Sequence, residues 1–374
     1  MWVSNISVNS FRNLDIAGQE LSQGVNILHG MNAQGKTSLL EAVYFCAFGR
    51  SLRAGSDREL IRFEQQAAHV RVEINRDGYS STMDAHIQRL GTKTKKGLSV
   101  NRVPIRHMKD LFGRLLVVMF SPEDLRLVKA GPYERRRFMD MEICQLSPVY
   151  YGDLKEYHRA LKQRNALLKV LQKGKSDSIG LSVWDEQLAN YGRRIMKARA
   201  AFIKRVNDIA REIHLNITQG AETLELTYAP SIANMDAYLE SLSKSHTRDI
   251  AQATTTLGVH KDDVNFAIND ISARFFGSQG QQRTAALSVK LAEIEIIKQS
   301  AKETPVLLLD DVLSELDASR QKFLLSQITD IQTLVTCTGL EDILLKTMQD
   351  CKIMKMENGA IIPLPGGVPE GRGG

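Results

Sequence analysis

The segment Gly30–Thr37 constrains this chain more than any other part of the sequence. Its letters, GMNAQGKT, match the phosphate-binding pattern G-x-x-x-x-G-K-[ST] at every fixed position. The context also fits, because Gly24–His29 reads as a short strand entering the loop and Ser38–Val43 as a helix leaving it. Glycines let such a loop turn tightly, so that backbone N–H groups and the helix N-terminus point at phosphate oxygens. The segment therefore predicts a site for the phosphates of a nucleotide.

The side chains after the second glycine have expected roles in such a loop. Lys36 is expected to contact the β- and γ-phosphates, and the Thr37 hydroxyl to coordinate Mg²⁺. Lys36 is therefore also assigned a catalytic role. The residues of this loop that we assign to nucleotide binding are Gly30, Met31, Asn32, Ala33, Gln34, Gly35, Lys36, Thr37 and Ser38.

A second match lies near the other end of the chain. The apolar run Val306–Leu309 ends in Asp310 and Asp311. A buried parallel strand that delivers a carboxylate to a metal ion has this pattern. Such a run alone is usually just a core strand, but together with the loop it strongly favours a nucleotide site. We assign Asp310, with Thr37, to Mg²⁺.

Composition bounds the class of protein. The chain has 374 residues, an apolar fraction of 43% and a formal net charge of +6. Its apolar runs fall short of the roughly eighteen residues of a membrane span, and its first residues lack the pattern of a signal peptide. The four cysteines show no C-x-x-C spacing. We therefore expect a cytoplasmic protein with reduced cysteines and no membrane association.

The positive charge is concentrated in the middle of the chain. Residues 121–220 contain 19 Lys or Arg against 12 Asp or Glu, a net charge of +7, so the remaining residues sum to −1. A basic region favours a polyanionic partner, although the solvated face of a helix gives similar counts. The charge alone leaves both interpretations open.

Apolar periodicity indicates β-structure around the loop. Alternation over residues 1–20 predicts a hairpin, and the patterns at His69–Asn75 and Tyr79–Ile87 predict antiparallel strands. Gly49–Ser56 has no clear period and is interpreted as a mobile loop. Gly91–Gly97 reads as an exposed basic hairpin tip.

The middle of the chain has a helical pattern. Apolar residues recur every seven positions from Leu154 to Leu168 and from Leu188 to Ile209, on either side of a break at Lys173–Ser178. This pattern predicts an antiparallel hairpin of two long helices. Strand patterns return at Leu224–Tyr228 and Val264–Ile268. The resulting segments are an N-terminal part of an ATPase head at 1–120, an inserted helical domain at 121–222, a C-terminal part of the head at 223–363 and a disordered tail at 364–374.

The spacing of the motifs selects among P-loop proteins. About 270 residues separate Lys36 from Asp310, far more than a compact P-loop enzyme needs. The interval contains Ser278–Gln281 (SQGQ), which resembles the signature motif of ABC-type ATPases, and Ser314–Asp317 resembles their D-loop. We therefore predict an α/β fold, an ABC-type P-loop ATPase head with mixed sheets plus an inserted, mostly helical second domain.

Within that superfamily the sequence resembles the RecF family of bacterial replication and repair ATPases, which is related to SMC and Rad50 heads. The insert of about a hundred residues is too short for the coiled-coil arms of those relatives. The resemblance covers nearly the whole chain apart from the tail. The segments that carry it are Val8–Asn13, Gly30–Ser38, Gly49–Ser51, Phe120–Asp124, Gly258–Asp263, Phe276–Arg283 and Asp310–Asp317.

The resemblance implies a homodimer that closes on ATP, in which the loop of one copy and the signature of the other bracket one nucleotide. Ser278, Gly280 and Gln281 would then contact the γ-phosphate in trans, at a helix expected to begin at Gln281, and Ser314 and Asp317 would belong to the same interface. Hydrolysis would release the dimer, so that ATP acts as a switch.

The resemblance also implies partners and a pathway. The dimer would bind double-stranded DNA near junctions with single strands and would work with RecR and RecO. It would promote the loading of RecA onto single-stranded DNA covered by single-strand binding protein (SSB). The process is recombinational gap repair and replication restart.

Some positions depart from the family pattern. ABC-type ATPases usually place Glu after the metal-binding Asp, whereas this chain has Asp311, which is one methylene shorter. We assign Asp311 to the attacking water and predict slow hydrolysis. No Q-loop glutamine is evident, and Thr336–Thr338 stands where many transporters carry a switch His, so the γ-phosphate sensors stay unassigned. His29 and His260 are expected to be structural, and the residues of Gly258–Asp263 indicate no role by themselves.

Three alternatives stay open at this point. A transporter nucleotide-binding subunit would need a membrane-domain partner, and the basic helical insert argues against it. A nuclease-associated Rad50-like ATPase would need a longer arm. A small-molecule kinase would transfer phosphate without dimerising.

Overall fold

The computed structural model describes residues 1–174, 179–339 and 351–362 of the chain, so the predicted tail at 364–374 lies outside the described residues. The strands are β1 (Trp2–Phe11), β2 (Leu14–Glu20), β3 (Val25–His29), β4 (Ala67–Arg76), β5 (Tyr79–Leu90), β6 (Lys93–Val100), β7 (Val103–Pro104), β8 (Val117–Phe120), β9 (Leu224–Ala229), β10 (Asp263–Ile268), β11 (Ile271–Ser272), β12 (Val306–Asp310), β13 (Thr333–Cys337), β14 (Lys352–Glu357) and β15 (Ala360–Ile362). The helices are α1 (Lys36–Phe48), α2 (Arg126–Lys129), α3 (Pro132–Leu146), α4 (Pro148–Leu171), α5 (Ile179–Ile217), α6 (Tyr238–Lys244), α7 (His246–Gln252), α8 (Ala273–Phe276), α9 (Gln279–Ala301) and α10 (Ala318–Gln327). Short 3₁₀ helices lie at Asp57–Leu60, Met108–Asp110, Pro122–Leu125, Val259–Lys261 and Leu313–Glu315.

The chain forms two compact units. Unit 1 comprises Met1–Pro122 and the described residues from Lys302 onward, and unit 2 comprises Glu123–Ala301. Unit 2 begins close to the predicted boundary at residue 121. It continues past residue 222 because β9 and α9 both pack on the long helix α5. The compact units thus differ from the predicted segments between residues 223 and 301.

One sheet of unit 1 is built from the two predicted motif strands and their neighbours. Its order is β15-β14-β3-β13-β12-β8, and every neighbouring pair from β14 to β8 is parallel. All of β12 is buried, and β3 is buried up to its last residue, as expected of parallel strands covered on both faces. The sequence prediction of these two strands is confirmed.

The other sheet of unit 1 is antiparallel, with the order β2-β1-β4-β5-β6-β7. Burial alternates along β4 with a period of two, so one face of this sheet packs inward and the other faces solvent. The predicted hairpin at residues 1–20 and the pair of strands after it are confirmed. The predicted basic tip is wrong in its extent, because Lys93–Gly97 pairs with β5 as the first part of β6.

Helix α1 is buried on nearly every side. It contacts β1, β4 and β5 of the antiparallel sheet and β8, β12 and β13 of the parallel sheet. A helix enclosed in this way is apolar all round, which explains the run Leu39, Leu40, Ala42, Val43, Phe45 and Phe48. The loop that precedes α1 is therefore anchored by a helix that two sheets hold in place.

In unit 2, the predicted pair of long helices is confirmed. Helices α4 and α5 pack on each other, and the heptad residues Leu168, Leu188, Ile195 and Phe202 are buried. A buried arginine, Arg164 of α4, adds a polar connection between elements. Its guanidinium donates to Asp185 of α5 and Asp249 of α7, each at 2.6 Å. Because both carboxylates pair with it, the charge is compensated in the interior. No described helix of either unit has the length and hydropathy of a membrane span.

The segment Gly258–Asp263, which had no role in the sequence interpretation, lies around a second buried arginine. Arg199 of α5 donates to the backbone oxygen of Val259 at 2.6 Å, to the carboxylate of Asp262 at 2.9 Å and to Asp140 of α3 at 2.8 Å. Removing such a charge from water is costly unless its hydrogen bonds are satisfied. The segment therefore has a structural role, which is to neutralise Arg199 and join α5, α3 and β10.

Gly258 has a conformation that other residues rarely adopt. Its φ is +126°, and a Cβ at this position would lie 2.3 Å from the hydroxyl of Tyr157. The hydroxyl of Ser231 donates to the Gly258 oxygen and accepts from its nitrogen, both at 2.8 Å. The close approach of these side chains explains why the segment begins with glycine.

His260 is a half-buried, neutral imidazole. Its Nε2 lies 3.0 Å from the carbonyl oxygen of Thr255, which can only accept, so Nε2 carries the proton. Its Nδ1 lies 2.9 Å from the hydroxyl of Tyr157 and accepts from it. Burial lowers the pKa of His260 to about 4. The contacts agree with the expectation that His260 is structural.

Replacing Gly258 with alanine should destabilise the protein by more than the cost of placing alanine at a positive φ. The new methyl group would overlap the Tyr157 hydroxyl, so Gly258→Ala should lower the free energy of unfolding by about 2–4 kcal/mol. The matched control is Gly220→Ala, because Gly220 also has a positive φ but has open space around its Cβ position. That control should cost about 1 kcal/mol. Urea unfolding of the two variants measures the difference, and equal losses would contradict the assigned contact.

The stability of the protein should fall on the acid side in a way that depends on His260. Its pKa in the folded protein, about 4, lies below the value of about 6.5 in the unfolded chain, so the unfolded chain takes up the proton first as the pH falls. The contribution of neutral His260 to the free energy of unfolding is therefore complete above about pH 6.5 and is lost as the pH falls toward 4. His260→Gln should remove about 2–3 kcal/mol of the difference in unfolding free energy between pH 7.5 and pH 4.5. His86→Gln, at an exposed position of β5, should leave the pH dependence as in the wild type.

Candidate nucleotide-binding site

The loop Gly30–Thr37 connects the end of β3 with the start of α1. Gly30 has a φ of +154°, and a Cβ there would lie 2.4 Å from the backbone oxygen of Met356. Gly35 has a φ of +105°, and its Cβ would lie 2.6 Å from the side chain of Leu14. Both fixed glycines of the sequence pattern are therefore required by close packing as well as by backbone conformation.

Lys36 lies within the curve of the loop. Its ammonium group donates to the backbone oxygens of Gly30 at 2.5 Å and Met31 at 2.9 Å, and the residue is buried. Two of its three N–H bonds thus hold the loop, and the charge lies at the place where phosphate binding was predicted. Burial, with the nearby charges of Lys355 and Lys36, lowers the pKa of His29 at the entry to the loop. A neutral His29 does not compete with Lys36 for an anion.

Thr37 and Asp310 meet although the sequence separates them widely. The Thr37 hydroxyl donates to the Asp310 carboxylate at 2.6 Å. Both residues were predicted to hold Mg²⁺, and the structure brings them together. A hydroxyl and a carboxylate are the hard oxygen donors that this ion prefers. Within the described residues, no group of three or more His, Cys, Asp or Glu side chains could hold a metal. The hydroxyl of Thr37 and the carboxylate of Asp310 fit Mg²⁺ that takes its other ligands from phosphate and water.

Thr336, at the end of β13, connects the two aspartates. Its hydroxyl donates to Asp310 at 3.0 Å and accepts from the backbone nitrogen of Asp311 at 2.9 Å. Asp311 has a φ of +53°, an unusual conformation for a residue other than glycine. Ser314 also holds Asp311, because its hydroxyl donates to the Asp311 backbone oxygen at 2.7 Å. Asp311 is thus fixed at the edge of the site by two neighbouring hydroxyls.

A cavity of about 340 Å³ lies over the loop. The predicted site residues that line it are Asn32, Ala33, Gly35, Lys36, Thr37, Ser38, Asp310 and Asp311. Gly30, Met31 and Gln34 do not line it. Met31 is 75% exposed, and the Gln34 side chain accepts from the backbone nitrogen of Asn358 at 2.6 Å. Asn13, Arg53 and Thr336 complete the lining.

A second, wider cavity of about 830 Å³ adjoins the first in unit 1 and shares Asn13, Ser38 and Arg53 with it. Its lining is rich in arginine, since Arg12, Arg58 and Arg89 join Arg53. Two glutamates, Glu41 and Glu59, also line it, so the lining carries an excess of positive charge. This arrangement suits an anionic ligand that extends beyond the loop.

The arginines and Thr336 were not predicted as site residues. Arg12 and Asn13 are within a segment that carried the family resemblance, but their spacing from the loop gave no sign of contact. The segment Gly49–Ser56, with Arg53, was interpreted as mobile because it lacks a period. In the structure, Ser51 within it is buried and bonded. Contacts between segments that are distant in sequence, which only the fold establishes, bring Asn13, Arg53 and Thr336 to the cavity over the loop.

The predicted signature residues lie in unit 2 at the start of α9. The helix begins at Gln279, so the expected start at Gln281 is wrong by two residues. Ser278 explains the difference, because its hydroxyl accepts from the Gln281 backbone nitrogen at 3.2 Å while the Gln281 side chain accepts from the Ser278 nitrogen at 2.8 Å. This reciprocal pair is a capping box. Ser278 is exposed, and Phe275 and Phe276 beside it are 71% and 76% exposed.

The predicted D-loop residues have local partners within unit 1. Asp317 caps the N-terminus of α10 by accepting from the Arg320 backbone nitrogen at 3.0 Å, and Ser314 holds Asp311. Neither residue lines the cavity over the loop. Their contact with a nucleotide stays a prediction.

A family model described as RecF/RecN/SMC N terminal domain matches residues 2–362 of this chain. The DNA replication and repair protein RecF of Lachnoclostridium phytofermentans is 46% identical over 361 residues, which cover 96% of this chain and 99% of that protein. RecF of Clostridium tetani is 42% identical over 370 residues, covering 97% of this chain and all of that protein.

Solved structures resemble the whole chain. A structure of the recombination mediator protein RecF with ATP, in the RecFOR pathway, has a TM-score of 0.90 and 34% identity and covers 97% of this chain and 98% of that one. An SMC head domain from Pyrococcus furiosus, bound to the C-terminal domain of ScpA, has a TM-score of 0.54 and 14% identity, covering 96% and 95%. The second likeness concerns the fold alone. The predicted fold class, an ABC-type ATPase head related to SMC heads, is confirmed.

Replacing Thr336 should weaken the binding of the metal–nucleotide complex. Thr336→Val keeps the shape of the side chain but removes the donor to Asp310 and the acceptor for Asp311. Since hydrogen bonds to charged groups are among the stronger ones, the Mg²⁺ concentration that gives half-maximal ATP binding should rise about tenfold. Thr336→Ser keeps the hydroxyl and should bind like the wild type. A magnesium titration of ATP binding, followed by calorimetry, measures this, and identical midpoints for all three proteins would contradict the role of Thr336.

Proposed function

This chain belongs to the RecF family of DNA replication and repair proteins, within the wider RecF/RecN/SMC N-terminal family, and from that premise we propose that it is an ATP-dependent switch in recombinational gap repair. The observation that carries the proposal is the contact of Thr37 with Asp310 beside Lys36, in a cavity of about 340 Å³. The family membership also argues against the transporter and small-molecule kinase alternatives.

Lys36, Thr37 and Asp310 would hold the triphosphate of ATP with Mg²⁺. Lys36 would neutralise the β- and γ-phosphates, while Thr37 and Asp310 would supply oxygen ligands to Mg²⁺, which withdraws charge from the phosphates when bound. Ser38 follows Thr37 and lines both cavities. The bound nucleotide would therefore extend from the loop past Ser38 and Asn13, so that its phosphates face the arginines of the wider cavity.

Asp311 would act as the residue that orients the attacking water. It lies at the edge of the cavity, and Thr336 and Ser314 hold its backbone. Its side chain is one methylene shorter than the glutamate common in ABC-type ATPases, so it reaches less far toward a water near the γ-phosphate. ATP hydrolysis would accordingly be slow, and we expect DNA to stimulate it. It would serve to end the ATP-bound state and not to perform mechanical work.

Ser278 would contact the nucleotide held by a second copy of the chain. Three features support this part of the proposal: Ser278 is exposed, the N-terminus of α9 favours an anion, and the exposed Phe275 and Phe276 lie beside it. Gly280 and Gln281 would present the first turn of α9 to the γ-phosphate, and Ser314 and Asp317 would lie near the same interface. ATP would thus join two copies, and hydrolysis would release them.

DNA would bind to the ATP-closed dimer. The basic residues in 121–220 would contribute contacts with phosphates, which are salt-sensitive and independent of sequence. The proposed substrate is double-stranded DNA near junctions with single strands. Acting with RecR and RecO in the cytoplasm, the protein would promote the loading of RecA onto DNA covered by SSB.

The dimer should depend on Ser278 in a way that helix capping does not explain. In sedimentation with ATP, Mg²⁺ and duplex DNA, the wild type should form a dimer that binds DNA, whereas Ser278→Ala and Lys36→Arg should stay monomeric. Ser147→Ala is the matched control, because the Ser147 hydroxyl caps α4 by accepting from the Tyr150 nitrogen at 3.2 Å. Both serine variants should lose about 1 kcal/mol of unfolding free energy. Only Ser278→Ala should lose dimerisation, and dimers of this variant at wild-type levels would overturn the switch.

A further inference from the structure

A buried carboxylate, Glu41 of α1, lies between the nucleotide loop and the arginines of the wider cavity. Its side chain is 4% exposed. Its two oxygens accept from the guanidinium of Arg12, at 2.9 Å from Nε and 3.0 Å from Nη2. The bidentate geometry fixes the plane of the Arg12 guanidinium. Glu41 and the loop lysine, Lys36, both lie on α1, so the helix fixes their positions relative to each other.

Glu41 also holds the segment that follows α1. The Ser51 hydroxyl donates a short hydrogen bond to Glu41 Oε1. The Ser51 oxygen in turn accepts from the backbone nitrogens of Arg53 at 2.9 Å and Ala54 at 2.7 Å. A hydroxyl has one donor and two acceptor positions, and all three are used here. The backbone at Arg53 is therefore tied to Glu41 through one intermediate side chain.

Arg12 holds the other end of the segment that follows α1. Its Nη1 donates to the backbone oxygen of Glu59 at 3.1 Å, and its backbone nitrogen donates to Leu60 at 2.7 Å. The segment from Ser51 to Leu60 is thus attached at both ends to the pair formed by Arg12 and Glu41. This segment carries Arg53 and Arg58, and Arg53 lines both cavities.

We propose that Glu41 is a positioning residue for nucleotide binding, which fixes the guanidinium of Arg12 directly and the backbone of Arg53 through Ser51, so that both arginines are held beside the phosphates of the bound nucleotide. The inference rests on the proposed function, because it concerns the same site. A free arginine side chain has many rotamers, and ordering it during binding has an entropic cost. Glu41 removes part of that cost because it orders the cations before the ligand arrives.

The proposal predicts that Glu41→Gln weakens nucleotide binding through the arginines. Glutamine has the same shape but lacks the charge, and its amide group cannot accept from both Arg12 and Ser51 with the geometry of a carboxylate. The Kd for ATP with Mg²⁺ should rise about tenfold or more. Its dependence on salt should become weaker, because fewer ordered cations face the phosphates. Ser51→Ala should change both quantities in the same direction by a smaller factor.

A matched control and a double variant separate positioning from a general effect on folding. Asp84→Asn removes another carboxylate of unit 1, which pairs with Arg71 at 2.7 Å and lines neither cavity, and should leave the Kd unchanged. Arg53→Gln alone should raise the Kd, and Glu41→Gln added to it should raise the Kd by clearly less than it does in the wild type. The melting temperature of each variant identifies any that is unfolded, and if Glu41→Gln does not fold, Ser51→Ala with Arg53→Gln provides the same test of coupling.

The outcomes distinguish the two proposals. A wild type that does not bind ATP would overturn the proposed function itself. A wild type that binds, together with a folded Glu41→Gln that binds equally well, would overturn the positioning role alone. Fully additive effects of Glu41→Gln and Arg53→Gln would also overturn it, because Glu41 would then act independently of Arg53.

Discussion

The hydrogen bond between Thr37 and Asp310 joins residues that are 273 positions apart, and the candidate site depends on it. It requires β3 and β12 to end at the same edge of the parallel sheet. These strands are not neighbours, since β13 lies between them in the order β3-β13-β12. The intervening strand supplies Thr336, whose hydroxyl contacts both Asp310 and the backbone of Asp311. Three strands from distant parts of the sequence therefore contribute to one candidate metal–phosphate site.

The same sheet explains how the chain accommodates a large insertion. Strands β8 and β12 are parallel neighbours, with Val117 opposite Val306, and unit 2 occupies the sequence between them. A connection between parallel neighbours must cross over in any case, so its length is free to grow. An insertion of this size needs a core of its own. Unit 2 has one in the α4–α5 pair, in which Arg164 and Arg199 are buried only because Asp185, Asp249, Asp140 and Asp262 neutralise them.

The sequence was sufficient for features that depend on local patterns. The loop pattern, the apolar run before Asp310 and the heptads of α4 and α5 each reflect one element and its burial, so they were predicted correctly. Arg12, Glu41 and Thr336 could not be found in this way, because their roles arise where strands and loops that are distant in sequence meet. Ser51 could not be predicted for a related reason. Its segment has no periodic pattern of apolar residues, and it is ordered by hydrogen bonds that lead to the buried carboxylate of Glu41. The start of α9 was misplaced because Ser278 was interpreted only as a ligand contact, whereas the structure shows that it caps the helix.

The capping role of Ser278 is compatible with the role proposed for it across the dimer. A hydroxyl has one proton to donate and two positions to accept, and the cap uses an acceptor position for the Gln281 nitrogen. The proton is therefore available for a phosphate oxygen. The first turn of any helix leaves N–H groups without partners inside the helix, and at α9 these groups lie beside the hydroxyl of the exposed Ser278. Ser278, at the N-terminus of α9, can therefore bind an anion and still cap the helix. A phosphate held by a second copy would add to the capping of α9 and would not compete with it.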